Sequence, residues 1–344
     1  MIEVDGSFGE GGGQILRTAL SLSCLFHKPF RIFNIRKGRK KPGLMPQHLT
    51  GVRAAQLLTR AEVQGDHAGS MELSFSPGKV KGGNFFFDIG TAGSTMLVLQ
   101  TLIPALVFSG EKTTLTLVGG THVPFSPSFH YVRDVFLPFL KKTEIEIALS
   151  VESYGFYPKG GGRIRVELFP VHEVTPLRIA DRGKMLGVKG ISGVANLPLA
   201  IAERQRNTAL EKLLPHGSDY SHQVDIELLD VPSPGQGTFI FLKAESEHSI
   251  AGFTDLGERG KRAETVGEEA ATELIEYLRT DAAPDSHLAD QIVLYLSLCR
   301  KQSLFTACRI TRHLLTNLWV IGLFHEFRYS IDGEIGKPGT VRIN

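Results

Sequence analysis

Residues 2–26 read IEVDGSFGEGGGQILRTALSLSCLF, and this stretch contains a strand, a turn and a helix of the predicted fold. From Gln14 onward the spacing predicts a helix with a polar stripe of Gln14, Arg17, Thr18 and Ser21. A glycine-rich turn that opens a helix is typical of phosphate sites, because backbone N–H groups and the helix dipole point outward there. The sequence matches neither G-x-x-x-x-G-K-[ST] nor G-x-G-x-x-G after a strand. Both a nucleotide site of another kind and a plain tight turn therefore stay open.

The order of strand, glycine turn and helix recurs farther along the chain. Short strands alternate with helices through residue 180, and glycine pairs recur at turns in VKGGN, VGGT and PKGGGR. This pattern predicts an α/β (α+β) fold in which a unit of roughly 80 residues repeats from residue 1 to about residue 171. Residues 181–260 read instead as a β-α-β-β run inserted in a last repeat. We therefore predict a large domain of residues 1–180 and 261–344 and an inserted domain of residues 181–260. The C-terminal limit of the insert could lie about ten to twenty residues after residue 260.

The composition is that of an ordinary globular protein, with 42% hydrophobic and 22% charged residues. The net charge of +2 excludes attraction to nucleic acid by overall charge, so a basic site has to be local. Three cysteines without metal-binding spacing fit a reducing cytoplasm. We find no signal peptide, and the longest apolar run, residues 96–108, is too short to cross a membrane. The sequence therefore predicts a cytoplasmic protein without a membrane contact.

Two residues of opposite charge flank the glycine turn. Glu10 precedes the glycines, and Arg17 lies in the helix that follows them. A carboxylate at this position could hold a divalent metal, and the guanidinium could hold a phosphate. The alternative is that the polar stripe is simply a solvated helix face.

A basic run and one glutamine are further candidates. Five of the six residues at positions 36–41 are Lys or Arg, between a predicted strand and a predicted helix. This position favours a contact with a phosphate backbone, and the alternative is a solvated loop. Gln100 lies in an apolar run, where it could pair with an adenine edge or bond to backbone in the core.

The segment ACRITRHLLTNLWVIGLF, residues 307–324, contains the candidate nucleophile. A strand ends near Ile310, and Thr311 predicts a helix cap, so His313 lies in the first turn and Asn317 one turn later. The helix dipole there keeps an imidazole neutral and attracts phosphate. His313 could therefore attack a phosphoryl group and form a covalent intermediate. The alternative is a structural histidine.

Six stretches together resemble the RNA 3′-terminal phosphate cyclase family. In chain order they are GEGGGQILR (9–17), RKGRKKPGLMPQHL (36–49), GTAGSTMLVLQTLIPAL (90–106), GFYPKGGG (155–162), HLADQ (287–291) and RHLLTN (312–317). Each stretch alone is modest evidence, but together they stand in the family's order and span nearly the whole chain.

The resemblance implies a large domain of three repeats, each a four-stranded sheet with two helices, and a smaller α/β domain inserted in the third. It implies a ligase that uses ATP to convert an RNA 3′-phosphate to a 2′,3′-cyclic phosphate. His313 would attack the α-phosphorus of ATP and form a histidine–AMP intermediate. AMP would then pass to the RNA 3′-phosphate, and the neighbouring 2′-OH would displace it.

The resemblance also implies roles for individual residues. Glu10 would bind a divalent metal, Mg²⁺ or Mn²⁺. The expected nucleotide and phosphate ligands are Gln14, Arg17, Arg36, Arg39, Gln47, Gln100, His287, Asp290, Gln291 and Asn317. His287 stands where some family members have a tyrosine, so stacking by a tyrosine is not expected here.

Two other functions stay open at this point. A non-catalytic branch of the family, thought to act in ribosome assembly, lacks the histidine nucleophile, and His313 favours the active branch. A nucleotidyl transferase acting on another end, such as a 5′-phosphate or DNA, is the other alternative. RNA with a 3′-phosphate is the predicted partner, and no obligatory protein partner is indicated.

Overall fold

In the computed structural model, which describes residues 1–214 and 224–344, the same sheet topology occurs three times. In each unit the first strand is parallel to the second, the second pairs antiparallel with the fourth, and the fourth with the third. The predicted fold of repeated α/β units is confirmed. The repeat was weak in the sequence because only the order of elements recurs.

The first two units follow each other directly along the chain. The first consists of β1 (Ile2–Asp5), α1 (Gly13–Phe26), β2 (Phe30–Phe33), α2 (Pro46–Thr59), β3 (Glu62–Gln64) and β4 (Leu73–Ser76). The second consists of β5 (Gly83–Asp88), α3 (Thr95–Val107), β6 (Thr113–Gly119), the continuous segment of α4 (Phe129–Tyr131), a π-helical turn (Val132–Phe136) and α5 (Leu137–Lys141), then β7 (Ile147–Ser153) and β8 (Gly162–Leu168).

The third unit is interrupted after its first strand, β9 (Arg178–Ile179). The chain then forms a separate four-stranded sheet with two helices. These elements are β10 (Met185–Ala195), α6 (Leu199–Leu213), β11 (Val224–Asp230), β12 (Gly237–Ser246), β13 (Ile250–Leu256) and α7 (Ala263–Leu278). The third unit resumes with α8 (Ser286–Leu296), β14 (Ser303–Ala307), α9 (Arg312–Phe324), β15 (Tyr329–Asp332) and β16 (Gly339–Ile343).

Helix α7 bears on the outer limit of the insert. Its buried side chains, such as Val266 and Leu274, share a hydrophobic cluster with Val188 and Ile240 of the inserted sheet. This packing favours a C-terminal limit of the insert after α7, and hence after residue 260. The division into residues 1–180, 181–260 and 261–344 stays a prediction.

The polar stripe of α1 faces the protein interior. Ser21 is only 2% exposed, and its Oγ donates to the backbone oxygen of Thr101 in α3 at 2.7 Å. Thr18 donates to Oδ1 of Asn317 in α9 at 2.8 Å. The alternative of a solvated helix face is therefore wrong: the stripe joins α1 to one helix of the second unit and one of the third.

A buried pair of histidines joins the second unit to the insert. His122 and His130 are each 1% exposed, and Nε2 of His122 lies 3.1 Å from Nδ1 of His130. Both rings pack on Phe239 of β12, with centroid distances of 4.4 and 5.0 Å. Burial lowers the pKa of His122 to about 3, and nearby Arg133 acts in the same direction. The contact is thus built from neutral imidazoles.

No helix in residues 1–214 and 224–344 is long and apolar enough to span a membrane. The apolar run at 96–108 forms α3 instead, where almost every residue is buried within the protein.

Candidate active site

His313 lies in the first turn of α9, as predicted from the sequence. Thr311 is the N-cap, and its Oγ1 accepts the backbone N–H of Leu314 at 2.9 Å. This hydrogen bond fixes the start of the helix and hence the direction of the next side chains. The imidazole of His313 is 44% exposed, so a ligand in solution can reach it.

Gln14 fixes the tautomer of His313. Its Nε2 donates to the backbone oxygen of His313 at 3.1 Å, and its Oε1 contacts Nδ1 of the same residue. The backbone oxygen can only accept, so the amide of Gln14 has one orientation and its Oε1 must accept the Nδ1 proton. In the neutral ring the lone pair is then on Nε2. Gln14 therefore leaves the lone pair of the neutral ring on Nε2 of His313.

Glu10 lies directly beside that nitrogen. Its Oε2 is 2.8 Å from Nε2 of His313, which makes the glycine turn one wall of the site. Arg39, in the basic loop, donates to the backbone oxygen of Glu10 at 3.2 Å and lies 3.9 Å from its Oε2. The turn, the basic loop and α9 therefore meet around one exposed imidazole.

The surroundings of His313 keep its ring neutral near pH 7. Burial lowers its pKa, an effect larger than the opposing attraction of the Glu10 carboxylate. The positive charge of Arg17 lowers the pKa further, as do His287 and Arg39. A neutral imidazole keeps the lone pair that a nucleophile needs.

The glycines of the turn let charged side chains come close to the start of α1. A Cβ on Gly12 would lie 3.2 Å from a guanidinium nitrogen of Arg39. A Cβ on Gly13 would lie 3.1 Å from one of Arg17 and would clash with the ring of His48. The absence of side chains at these two positions therefore concentrates donors at a helix N-terminus, where anions bind.

Arg17 is the half-buried cation of this group. Partial burial lowers its pKa to about 10, so it remains protonated at neutral pH. A half-buried guanidinium binds an anion more strongly than an exposed one, because less solvent screens the interaction.

His48 is a residue of the site that sequence reasoning missed. Its Nδ1 accepts the backbone N–H of Met45 at 3.1 Å, and burial together with Arg17 and Arg36 lowers its pKa to about 3. The neutral ring therefore carries its proton on Nε2, which faces Gly13. His48 is a neutral donor aimed at the start of α1. It lay within the basic motif, but a histidine among lysines and arginines gave no signal of its own.

Helix α8 supports the site from behind. Asp290 accepts a hydrogen bond from the Thr311 hydroxyl, and its backbone oxygen accepts from Asn317 Nδ2 at 2.6 Å. Burial raises the pKa of Asp290 well above its usual range. Because the carboxamide of Asn317 also binds Thr18, both of its polar atoms are engaged within the protein. These contacts hold α1, α8 and α9 together.

Four of the other predicted residues make hydrogen bonds of their own, and a fifth is exposed. Gln100 donates to Oε1 of Gln291 at 2.7 Å, so its partner is a side chain rather than backbone. Gln47 accepts the backbone N–H of Ser94 at 3.0 Å. Arg36 donates to the backbone oxygen of Gly43 at 3.0 Å. His287 is exposed at the start of α8.

Glu10 is the candidate metal ligand of this site. In the described part of the chain, no group of three or more His, Cys, Asp or Glu side chains is placed to hold a metal ion. Glu10 offers one carboxylate, which fits the way Mg²⁺ is commonly held, by one or two carboxylates together with substrate phosphates.

Comparison with known proteins decides the family. The family model for RNA 3′-terminal phosphate cyclase matches residues 8–331. The chain belongs to this family. It is 50% identical to the RNA 3′-terminal phosphate cyclase of Sulfolobus acidocaldarius over 97% of this chain and 98% of that protein. It is 45% identical to the one of Ignicoccus hospitalis, over 100% and 98% of the two chains. For Thermococcus kodakarensis the identity is 44%, over 99% and 98%. The RNA 3′-terminal phosphate cyclases are ligase-type enzymes, so the predicted enzyme class is confirmed.

Proposed function

We propose that this cyclase family member converts an RNA 3′-phosphate to a 2′,3′-cyclic phosphate with ATP, through a covalent adduct of AMP on His313. The names of its relatives support RNA with a 3′-phosphate as substrate. The observation that carries the mechanism is the amide of Gln14, which holds the Nδ1 proton and leaves the lone pair of the neutral ring on Nε2. The carboxylate of Glu10, 2.8 Å from that nitrogen, has to turn away from the ring, as it would toward a bound metal, before Nε2 attacks.

In the first step, Nε2 of His313 attacks the α-phosphorus of ATP, and the bond to the β-phosphate oxygen breaks. Pyrophosphate leaves, and the ring carries AMP as a phosphoramidate. The positive charge that the ring acquires during attack lies next to the Glu10 carboxylate, which stabilises it. The Nδ1 proton remains on the ring and is held by Gln14.

The basic side chains at the start of α1 would hold the phosphates during this step. Arg17, Arg39 and His48 converge on Gly12 and Gly13 and present donors where the leaving group becomes more negative. Glu10 would also hold the divalent metal with the phosphates, and such an ion would offset the developing negative charge.

In the second step, an oxygen of the RNA 3′-phosphate attacks the phosphorus of AMP, and the bond to Nε2 breaks. In the third, the 2′-OH attacks the 3′-phosphorus and gives its proton to water, the bond from that phosphorus to the oxygen bridging to AMP breaks, and AMP leaves as the ring closes. The hydroxyl is held beside its target by the ribose itself, which gives the attack a high effective concentration.

The nucleophile is tested with ATP labelled at the α-phosphate. We expect a protein-bound AMP that is labile in acid and stable in alkali, lost in His313→Ala and retained in His67→Ala, a matched change at an exposed histidine. Wild-type protein without label in the presence of Mg²⁺ or Mn²⁺ would contradict the mechanism and favour a non-catalytic RNA-binding role.

The substrate is tested with two RNA ends. A 3′-phosphate should become resistant to phosphatase, whereas the 2′-deoxy analogue should stop at the adenylylated end because it lacks the attacking hydroxyl. Turnover of a 5′-phosphate or a DNA end at the same rate would favour a broader nucleotidyl transferase. We also place the protein in the cytoplasm, which the reduced cysteines support.

A further inference from the structure

Three loops meet where strands β5 and β6 end. We name them the loop cluster: residues 89–94, 120–128 and 155–161. The backbone N–H of Gly120 donates to the oxygen of Gly93 at 2.8 Å, and that of Thr121 donates to the oxygen of Gly155 at 2.9 Å. These hydrogen bonds hold the three loops side by side.

Two aromatic side chains extend from the loop cluster into solvent. Phe125 is fully exposed and Tyr157 is 71% exposed. Phe125 lies shortly after His122 and Tyr157 directly after Phe156, and His122 and Phe156 pair through a β-bridge. Because so few residues separate each aromatic residue from this bridge, the Cα atoms of Phe125 and Tyr157 lie within about 20 Å of each other.

Phe125 has an unfavourable backbone as well as an exposed ring. Its φ is +61°, in the left-handed region, which costs a non-glycine residue about 1–2 kcal/mol. Hydrogen bonds fix the loop around it: Ser126 Oγ donates to the oxygen of Val123 at 2.9 Å, and Ser128 Oγ lies 2.9 Å from Thr254 Oγ1 in the insert. Because the ring is fully exposed, it buries no apolar area that would stabilise the fold. Its exposure and its backbone conformation are therefore better explained by a ligand that contacts it.

The charge of the loop cluster favours a polyanion. Its three loops contain neither Asp nor Glu, and Lys159 lies between the exposed Tyr157 and Gly160. The insert segment at residues 231–237 also lacks acidic residues, and its Gly235 packs near the stem of Lys159. The cluster carries one cation, Lys159, beside its exposed aromatic rings, and the carboxylate of Asp88, the residue before the cluster, accepts the backbone N–H of Gly90 at 2.7 Å. Exposed aromatic rings beside a cation suit single-stranded nucleic acids, because every base has a face that can stack.

The loop cluster adjoins the site of His313. The backbone N–H of Ser94 donates to Oε1 of Gln47 in the first turn of α2 at 3.0 Å. The next residue of that helix is His48, whose ring packs against Gly13 at the start of α1. One loop of the cluster therefore contacts the same helix, α2, that brings His48 to the start of α1.

We propose that Phe125 and Tyr157 form a stacking platform for bases of single-stranded RNA upstream of the reacting 3′-phosphate, with Lys159 holding the backbone. The proposal rests on the proposed function for its ligand, RNA, and for the position of the reacting 3′ end at His313. The platform would supply affinity for a strand without reading its sequence, because stacking discriminates little between bases.

The test measures binding of a 3′-phosphorylated, dye-labelled single-stranded RNA of ten nucleotides to the full chain without ATP, by fluorescence anisotropy. Phe125→Ala and Tyr157→Ala should each weaken binding by about 5- to 150-fold, the range for losing one base–aromatic stack. Phe125→Gly suits the left-handed backbone and should weaken binding equally without lowering thermal stability. Phe86→Ala and Tyr329→Ala, at exposed aromatics in two other places, are the matched controls and should leave affinity unchanged.

Labelling of the protein by ATP separates this proposal from the proposed function. The platform variants should label like wild type. Unchanged RNA affinity in both variants overturns the platform, and the surface would then serve a protein partner. Loss of labelling with RNA affinity intact also overturns it, because the rings would then hold the nucleotide. If wild type takes no label but the variants still bind RNA more weakly, the platform stands and the adenylylation chemistry does not.

Discussion

The buried histidine pair makes the stability of the protein depend on pH. His122 has a pKa of about 3 in the folded state against an ordinary value of 6.5, because burial beside Arg133 disfavours the charged ring. Between these two values the unfolded chain binds more protons than the folded one. The free energy of unfolding therefore falls as the pH drops below 6.5.

The size of the effect follows from those two values. Lowering the pH from about 7.5 to about 5 should remove about 2 kcal/mol of unfolding free energy through His122 alone. Burial also lowers the pKa of His130 well below its usual range, so the second ring acts in the same direction. Because the imidazoles pack on Phe239, the loss should fall on the contact with the insert.

Urea unfolding at the two pH values measures this loss, and the comparison with His122→Asn isolates it from carboxylates that titrate in both proteins. The asparagine variant should lose about 2 kcal/mol less than wild type on acidification. His67→Asn, at an exposed site, should keep the wild-type loss. An equal loss in wild type and His122→Asn would refute the reasoning.

Further changes test the contacts around His313. Gln14→Leu removes the amide that holds the Nδ1 proton and should slow labelling by ATP about tenfold in a rapid-quench assay, whereas Gln56→Leu in α2 should not; an unaltered rate would deny Gln14 its role. Glu10→Gln keeps the size of the side chain but loses its charge, so labelling should require about tenfold more Mg²⁺, and an unchanged requirement would exclude it as a metal ligand. Thr18→Val leaves the buried Oδ1 of Asn317 without its hydrogen-bond donor and should lower the free energy of unfolding, measured in urea, by about 1–2 kcal/mol. An unchanged free energy of unfolding would show that this hydrogen bond does not stabilise the protein.

Local features of the chain could be predicted because their causes are local. The helix of α9 begins where Thr311 predicted it, since a threonine cap acts on the N–H groups that follow it. The glycine turn likewise leads into α1 as predicted. Strands β3, β9 and β16 were not predicted, and the first two have only three and two residues, too few to show a period.

Long-range contacts could not be read from the sequence. Gln14 and His313 are separated by 299 residues, and nothing in either segment indicates that one amide would set the tautomer of one ring. The burial of Ser21 depended on where α3 would lie, because a polar stripe suits both water and a neighbouring helix. The lowered pKa of His48 depends on folding, which buries the ring and places Arg17 and Arg36 near it.

The separation of Gln14 from His313 has a consequence for synthesis of the protein. The first unit can fold early on the ribosome, since domains generally fold as units from the N-terminal side. The helix that carries the proposed nucleophile, α9, begins only at Arg312 and must dock on α1 before Gln14 can hold the ring of His313. On the proposed mechanism, a nascent chain would have its glycine turn long before it could capture a nucleotide covalently, and partial translation products should be inert toward ATP.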